Sequence, residues 1–159
     1  MPSIRSTHVE VYVFRRRGRG VQFLVLRRAR GRRVLPGVWQ PVTGKRRVRE
    51  RMVAAAMREV REETGLVPVR WWALESATVY PDAERDAIVV VPLFAAEVEA
   101  RAAVRLSREH DAARWLDRRA AKRAVLWVSQ QRGFDAVRRE VLGSRALAAA
   151  LEVRGGRVG

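Results

Sequence analysis

The chain has 159 residues, the length of a single domain, and its 48% of hydrophobic residues is enough to bury a core. It carries 33 basic against 17 acidic residues, a formal charge of +16, and every basic residue except Lys45 and Lys122 is arginine. The lack of cysteine excludes disulfides, thiolate metal sites and a cysteine nucleophile. With only His8 and His110 a multi-histidine zinc centre is excluded too, so any metal must be held mainly by oxygen. No apolar run approaches the roughly 18 residues of a membrane span. Met1-Pro2-Ser3-Ile4-Arg5 leads into no apolar signal segment, so a cytoplasmic protein is expected. The positive field attracts polyanions, which makes a phosphorylated small molecule the expected partner and leaves nucleic acid open.

In chain order, His8 to Phe14 predicts a strand with Val9, Val11 and Val13 on one face. A basic turn over residues 15–20 returns the chain into a second apolar strand, Val21 to Leu26. Residues 27–37, polar and punctuated by Gly31, Pro36 and Gly37, predict a loop. Trp39 to Thr43 is a short extended piece ending at Gly44. The pattern becomes helical from Glu50 to Thr64, with Gly65 placed to stop it. Val69 to Tyr80 and Ala87 to Val98 read as strands joined by a turn at 81–86, and Arg114 to Leu116 as a short strand. Ser129 to Leu142 predicts a second helix, capped by Ser129 and stopped by Gly143. This order predicts an α/β domain with one mixed sheet flanked by helices over residues 1–143, followed by a basic, helical or frayed tail at 144–159.

One segment breaks the arginine-dominated pattern. At about 100° per residue, Glu62 and Glu63 fall within roughly 60° of Glu59, one on either side, and the three form an acidic stripe. Val53, Ala56, Met57, Val60 and Thr64 form an adjacent apolar stripe, and Arg58 and Arg61 take the remaining side. Like charges three and four apart cost a few tenths of a kcal/mol per pair. Arg58 bridging to Glu62 would offset this on a solvated surface; a bound divalent cation would do so at a site, since Mg²⁺ and Mn²⁺ prefer clustered carboxylate oxygens. The wider spacing favours the cation. Gly44, five residues, Glu50, seven residues, then Arg58-Glu59-Val60-x-Glu62-Glu63-x-Gly65-Leu66 resembles the Nudix box at every fixed position.

That resemblance implies a Nudix-type α/β/α sandwich and hydrolysis of a nucleoside diphosphate linked to another group. It implies that Glu59, Glu62 and Glu63 hold Mg²⁺, with Mn²⁺ as a substitute, and that Glu50 and Arg58 orient those carboxylates. Two or more cations neutralise phosphate charge and lower the pKa of an attacking water, so no Ser/His/Asp arrangement is needed. Arg49 stands where the family often has glycine, a position suited to positive φ.

Two further stretches resemble one subfamily, the bacterial dihydroneopterin triphosphate diphosphatases, also called dATP pyrophosphohydrolases. These are Trp39-Gln40-Pro41-Val42-Thr43-Gly44 and Glu109-His110-Asp111-Ala112-Ala113-Arg114-Trp115-Leu116-Asp117. The resemblance implies that Glu109 supplies a further metal ligand or the general base, with Glu97 as the rival carboxylate. Trp39 is a candidate to stack on a base or pterin ring, Arg27 and Arg28 are candidates for phosphate, and Trp71, Trp72 and Trp127 read as packing residues. The expected reaction converts a triphosphate, dihydroneopterin triphosphate or a dNTP such as dATP, to a monophosphate and pyrophosphate. The alternatives are a Nudix hydrolase of another linkage (a dinucleoside polyphosphate, a nucleotide sugar or an RNA 5′ end) and a silent nucleotide-binding regulator. Whether the protein is a monomer or a homodimer stays open.

Overall fold

A strongly twisted mixed sheet carries the molecule, and residues 1–154 are described in the computed structural model. Its strands are β1 (Ser3–Arg5), β2 (His8–Arg17), β3 (Gly20–Arg28), β4 (Trp39–Gln40), β5 (Val42–Lys45), β6 (Arg70–Asp82), β7 (Ala87–Val98) and β8 (His110–Leu116). The central order is β1-β7-β2-β3-β4; β5 continues along β2, β6 covers the other edge of β7, and β8 pairs with β3. Both β1 and β2 run parallel to β7, and the remaining pairs are antiparallel. Pro41, which has no N–H to give, divides β4 from β5 where the chain leaves β3 for β2.

Alternation along β2 builds a core on each face. Val9, Val11 and Val13 pack with Leu24, Leu26, Phe94 and Ala96 beneath α1 (Met52–Thr64). Tyr12 and Phe14 pack with Phe23, Val25, Trp72 and Phe134 on the opposite face, under α2 (Arg118–Ala124), α3 (Val128–Val137) and α4 (Arg145–Leu151). The result is the expected α/β/α sandwich. Tyr12, Phe23 and Phe134 meet edge to face at ring separations of 4.9 and 5.3 Å, a favourable arrangement of aromatic quadrupoles.

Several boundaries differ from those expected. β8 starts at His110, not Arg114, because it pairs with β3 as far as Arg28. α2 was not expected; Asp117 caps it, accepting from the Ala120 N–H at 2.8 Å. Ser129 lies inside α3, whose N-terminal boundary is Trp127, and Gly143 does not adopt a left-handed stop (φ −95°). Instead α3 widens into a π turn over Arg138–Leu142, then Ser144 caps α4 by accepting from Leu147 N–H at 3.2 Å. The π turn carries buried Glu140, whose carboxylate accepts from the N–H groups of Glu75 (2.6 Å) and Ser76 (3.2 Å) and from the Ser76 hydroxyl. These are donors that a bulge in β6 between Ala73 and Ala77 takes out of the ladder. The tail is tied back: Glu152 bridges to Trp72 and pairs with Arg70 at 2.9 Å, and Val153 N–H donates to Trp71 O at 2.8 Å. The end of the expected tail, 155–159, lies outside the described residues.

Gly133 of α3 lies against Tyr12 so closely that an added Cβ would sit 1.9 Å from the phenol oxygen. Tyr12 is fully buried and hydrogen-bonded to Glu10, so it cannot yield. Gly133→Ala is expected to cost at least about 2 kcal/mol, read as a lower urea midpoint at unchanged slope.

Candidate active site

The acidic helix α1 does not separate its core and acidic stripes as its sequence pattern predicts. Its buried residues are Ala55, Ala56, Glu59, Val60, Glu63 and Thr64, so two glutamates share the packed face while Glu62 faces solvent. Gly65 ends the helix as expected, at φ 66° with its N–H donating to Arg61 O. Glu59 reaches the sheet because Gly44 of β5 has no side chain: a Cβ there would lie 2.0 Å from the Glu59 carboxyl carbon.

Arg58 ties the cluster together. Its guanidinium donates to Glu50 (2.7 and 2.9 Å), Glu59 (2.7 Å), Glu62 (3.0 Å) and the carbonyl of Lys45 (2.9 Å). Glu50 also accepts from the Arg47 N–H at 2.8 Å, and these contacts, Arg58 first, hold its carboxyl down at about 2. The loop between Gly44 and the helix is fixed by its own basic residues. Arg46 donates to the carbonyls of Glu50 and Ser6, and Arg47 pairs with Glu62 at 3.1 Å. Arg49, where glycine was the usual residue, does adopt the left-handed conformation, at φ 62°.

Glu63 is the most perturbed acid of the group. Burial first, then the charges of Glu59, Glu109 and Glu62, push its carboxyl up to about 9, and its buried Oε2 has no hydrogen-bond partner. Glu109 is brought to Glu63 by the loop that follows β7: Arg105 N–H donates to Thr64 O (2.7 Å) and Ser107 N–H to Glu63 O (3.4 Å). Glu97 stands elsewhere. It pairs with Arg16 at 2.9 Å and lies opposite Phe14, whereas Gly44 lies opposite Val9. Five residues along β2 separate the two, about 17 Å. Arg28 faces the carboxylates, its charge acting on Glu63, and its Nε donates to Val34 O. Arg27 points to the other face, bound to Asp111 at 2.6 Å.

On that other face a cleft of about 500 Å³ runs between the sheet and the start of α3. His8 and Thr43 line its end next to Gly44, Tyr80 and Trp127 line its mouth, and Glu10 and Gln130 are buried in its wall. Gln40, another lining residue, contacts His110 (3.4 Å), the neighbour of Glu109, so the cleft and the carboxylates meet at one end of the sheet. Burial pushes the Glu10 carboxyl up, partly offset by the hydrogen bonds it accepts from Tyr12 and Gln130 (3.2 Å). Trp39 does not line this cleft; it packs beside α2, with Arg114 4.8 Å and Arg27 5.7 Å from its ring centre. Trp127, read from sequence as packing, is instead half-exposed at the cleft. The two differ in element and not in sheet face: Trp39 sits on β4, bridged to Val125, and Trp127 at the start of α3.

Among the described residues, no three acidic or histidine side chains are disposed to hold a metal ion by themselves. The reason is visible in the ion pairs: Arg47 and Arg58 draw Glu62 outward. The donor set nonetheless fits a hard divalent cation. It is all carboxylate, it contains the unpartnered oxygen of Glu63, and Gly44 leaves the carboxyl of Glu59 open at the strand.

Comparison with known proteins follows this geometry. The NUDIX domain family matches residues 5–142. An octanoyltransferase from Myxococcus xanthus is 37% identical over 117 residues, 73% of this chain; the chain spans about a third of that relative's length (31%). The fold resembles a NUDIX hydrolase from Listeria monocytogenes (TM-score 0.74, 23% identity, covering 87% of this chain and 96% of that one). It also resembles the dihydroneopterin triphosphate pyrophosphohydrolase of E. coli (TM-score 0.67, 21% identity, 91% and 100%). With the family match covering nearly the whole sandwich and the box residues gathered at one end of it, the chain belongs to the NUDIX domain family.

Proposed function

We propose that the protein is a cytoplasmic, Mg²⁺-dependent hydrolase that cleaves a nucleoside triphosphate-like substrate, dihydroneopterin triphosphate or a dNTP, to a monophosphate and pyrophosphate. The observation that carries this reading is the meeting of a buried, partly unpartnered carboxylate cluster with a ring-sized cleft at one end of the sheet. Nudix enzymes generally use divalent metals, and Glu59, Glu62 and Glu63, with Glu109, are the oxygens that would hold Mg²⁺ or Mn²⁺ here. A cation so held neutralises phosphate charge and acidifies water.

The chain's own residues do the rest. Arg58 and Glu50 fix the carboxylates, and Arg28 meets phosphate near Glu63. Glu109, about half exposed and 3.8 Å from Arg32, takes the proton of the attacking water. The water oxygen bonds to phosphorus, the anhydride bond between the first and second phosphorus breaks, and pyrophosphate leaves. The site's electrostatics support this reading: the single positive charge of Arg58 bridges three carboxylates without neutralising them, which leaves a compact acidic cluster for a cation.

Incubation with Mg²⁺ and each candidate triphosphate should release pyrophosphate and monophosphate in equal amounts; orthophosphate as the sole inorganic product contradicts the reading. Glu63→Gln should lower kcat about 100-fold or more. In metal-free protein the unfolded chain releases the Glu63 proton near the ordinary carboxylate value and the folded chain only near 9. Folding therefore takes up a proton between those values, and stability falls as pH rises across that window. The Gln variant should flatten this slope, seen in urea midpoints at pH 6 and pH 8 with chelator present. Glu109→Gln is expected to reduce kcat by about 10²–10⁴. Glu97→Gln, tied to Arg16 far from the cluster, should stay within about twofold of the parent; the opposite ranking would transfer the base to Glu97.

A further inference from the structure

The cleft beside the carboxylates has a wall chemistry that the reaction itself does not use. Its mouth carries two exposed aromatic side chains, Tyr80 (45% exposed) and Trp127 (49%), on β6 and at the start of α3. Flat rings at a mouth of this size are suited to stacking on a heterocycle, a contact tolerant of ring identity. Deeper in, Glu10 and Gln130 line the same cleft, 7% and 5% exposed.

Those two side chains are joined in one direction only. Gln130 Nε2 donates to Glu10 Oε2 at 3.2 Å, and the Tyr12 hydroxyl donates to Glu10 Oε1. That orientation leaves Gln130 Oε1 buried with no partner. The wall therefore sets two acceptors side by side, the carboxylate of Glu10 and the amide oxygen of Gln130, with the Tyr12 hydroxyl and one N–H of Gln130 engaged on Glu10. Leaving a buried acceptor unpaired is costly, which makes it a strong discriminator once a ligand brings a donor.

We propose that Glu10 and Gln130 are specificity-determining residues that select a ring whose edge presents an amino group next to a ring N–H. That is the edge of a 2-amino-4-oxopyrimidine, shared by guanine and by pterins, with Tyr80 and Trp127 holding its faces. Adenine presents an amino group beside a ring nitrogen that only accepts, so its edge would set a lone pair against the Glu10–Gln130 acceptors. Glu10 is placed for this by the alternation of β2, which turns Val9 and Val11 to the α1 core and Glu10 to the cleft. The inference rests on the proposed triphosphate hydrolysis for its enzymatic form, and narrows its substrate.

The test compares kcat/KM for dGTP, dihydroneopterin triphosphate, dITP (which lacks the amino group) and dATP, together with metal-free titration of the tryptophan emission by dGMP and dAMP. We expect dGTP or dihydroneopterin triphosphate, or both, to exceed dATP by at least about tenfold, with dITP falling below dGTP. The two preferred substrates also separate a nucleotide from a pterin as the source of the edge. Glu10→Gln should bring the dGTP to dATP ratio within about threefold through KM, at nearly unchanged kcat. Trp127→Ala should weaken both nucleotides about tenfold while keeping the ratio, and should abolish the quench. If neither dGTP nor dihydroneopterin triphosphate exceeds dATP in kcat/KM, or if the preference over dATP is untouched by Glu10→Gln in a variant that unfolds at the parent's urea midpoint, the proposal is overturned. If no triphosphate is hydrolysed, the enzymatic reading fails by itself. The titration then decides the ring edge alone: quenching by dGMP at concentrations about tenfold below dAMP upholds it, and equal or absent quenching overturns it.

Discussion

The guanidinium of Arg58 holds together four carboxylate oxygens and one backbone carbonyl at the seam between α1 and the sheet. Without it the chain would have to bury Glu59 and Glu63 one helical turn apart, next to Glu50 and Glu62, in surroundings where like charges repel through a low dielectric. Arg58 answers part of that repulsion; burial first, and the neighbouring charges after it, leave Glu63 holding its proton far above the usual carboxylate range. The seam is therefore stable as a protonated, arginine-bridged cluster.

The placement of that seam decides where the rest of the site must lie. β2 serves both faces, its odd-numbered valines under α1 and its Glu10 and Tyr12 under α3. Gly44, opposite Val9, is the point at which the two faces come closest, because no side chain stands between the Glu59 carboxyl and the strand. In the proposed reaction, a substrate with its ring in the α3-side cleft would bring phosphates at the Gly44 end to carboxylates that hang from the opposite side of the sheet. This is a geometry a single helix or loop cannot make.

Several arginines are engaged within the fold. Arg16, Arg27, Arg70 and Arg118 pair with acids, Arg46 holds loop carbonyls, and Arg15 lies 4.3 Å from the centre of the Trp115 ring. Planar guanidinium suits all three uses, since it donates in a fork and stacks on aromatics. The net charge of +16 remains after every acid is matched.

Local pattern was enough to place most strands, the acidic helix with its stop at Gly65, and the box glutamates, because each is written in spacing along a few turns or a few strand residues. Resemblance to the Nudix box, and not local pattern, marks Arg49 as a position suited to positive φ. The burial of Glu59 and Glu63 was not legible, since it depends on Gly44 of a distant strand accepting a carboxyl against its backbone. Nor was the divergence of the tryptophans: Trp39 on β4 packs beside α2, whereas Trp127, at the start of α3, is half-exposed at the cleft. Likewise Glu109 and Glu97 are both single glutamates near strand ends, and only the loop clamped to the end of α1 brings the first to Glu63. Sequence by itself determined which chemistry the helix can carry, because the 3.6-residue period sets its carboxylates on one side. Tertiary structure alone decided which groups share that chemistry, because proximity across a sheet is set by pairing register and not by distance along the chain.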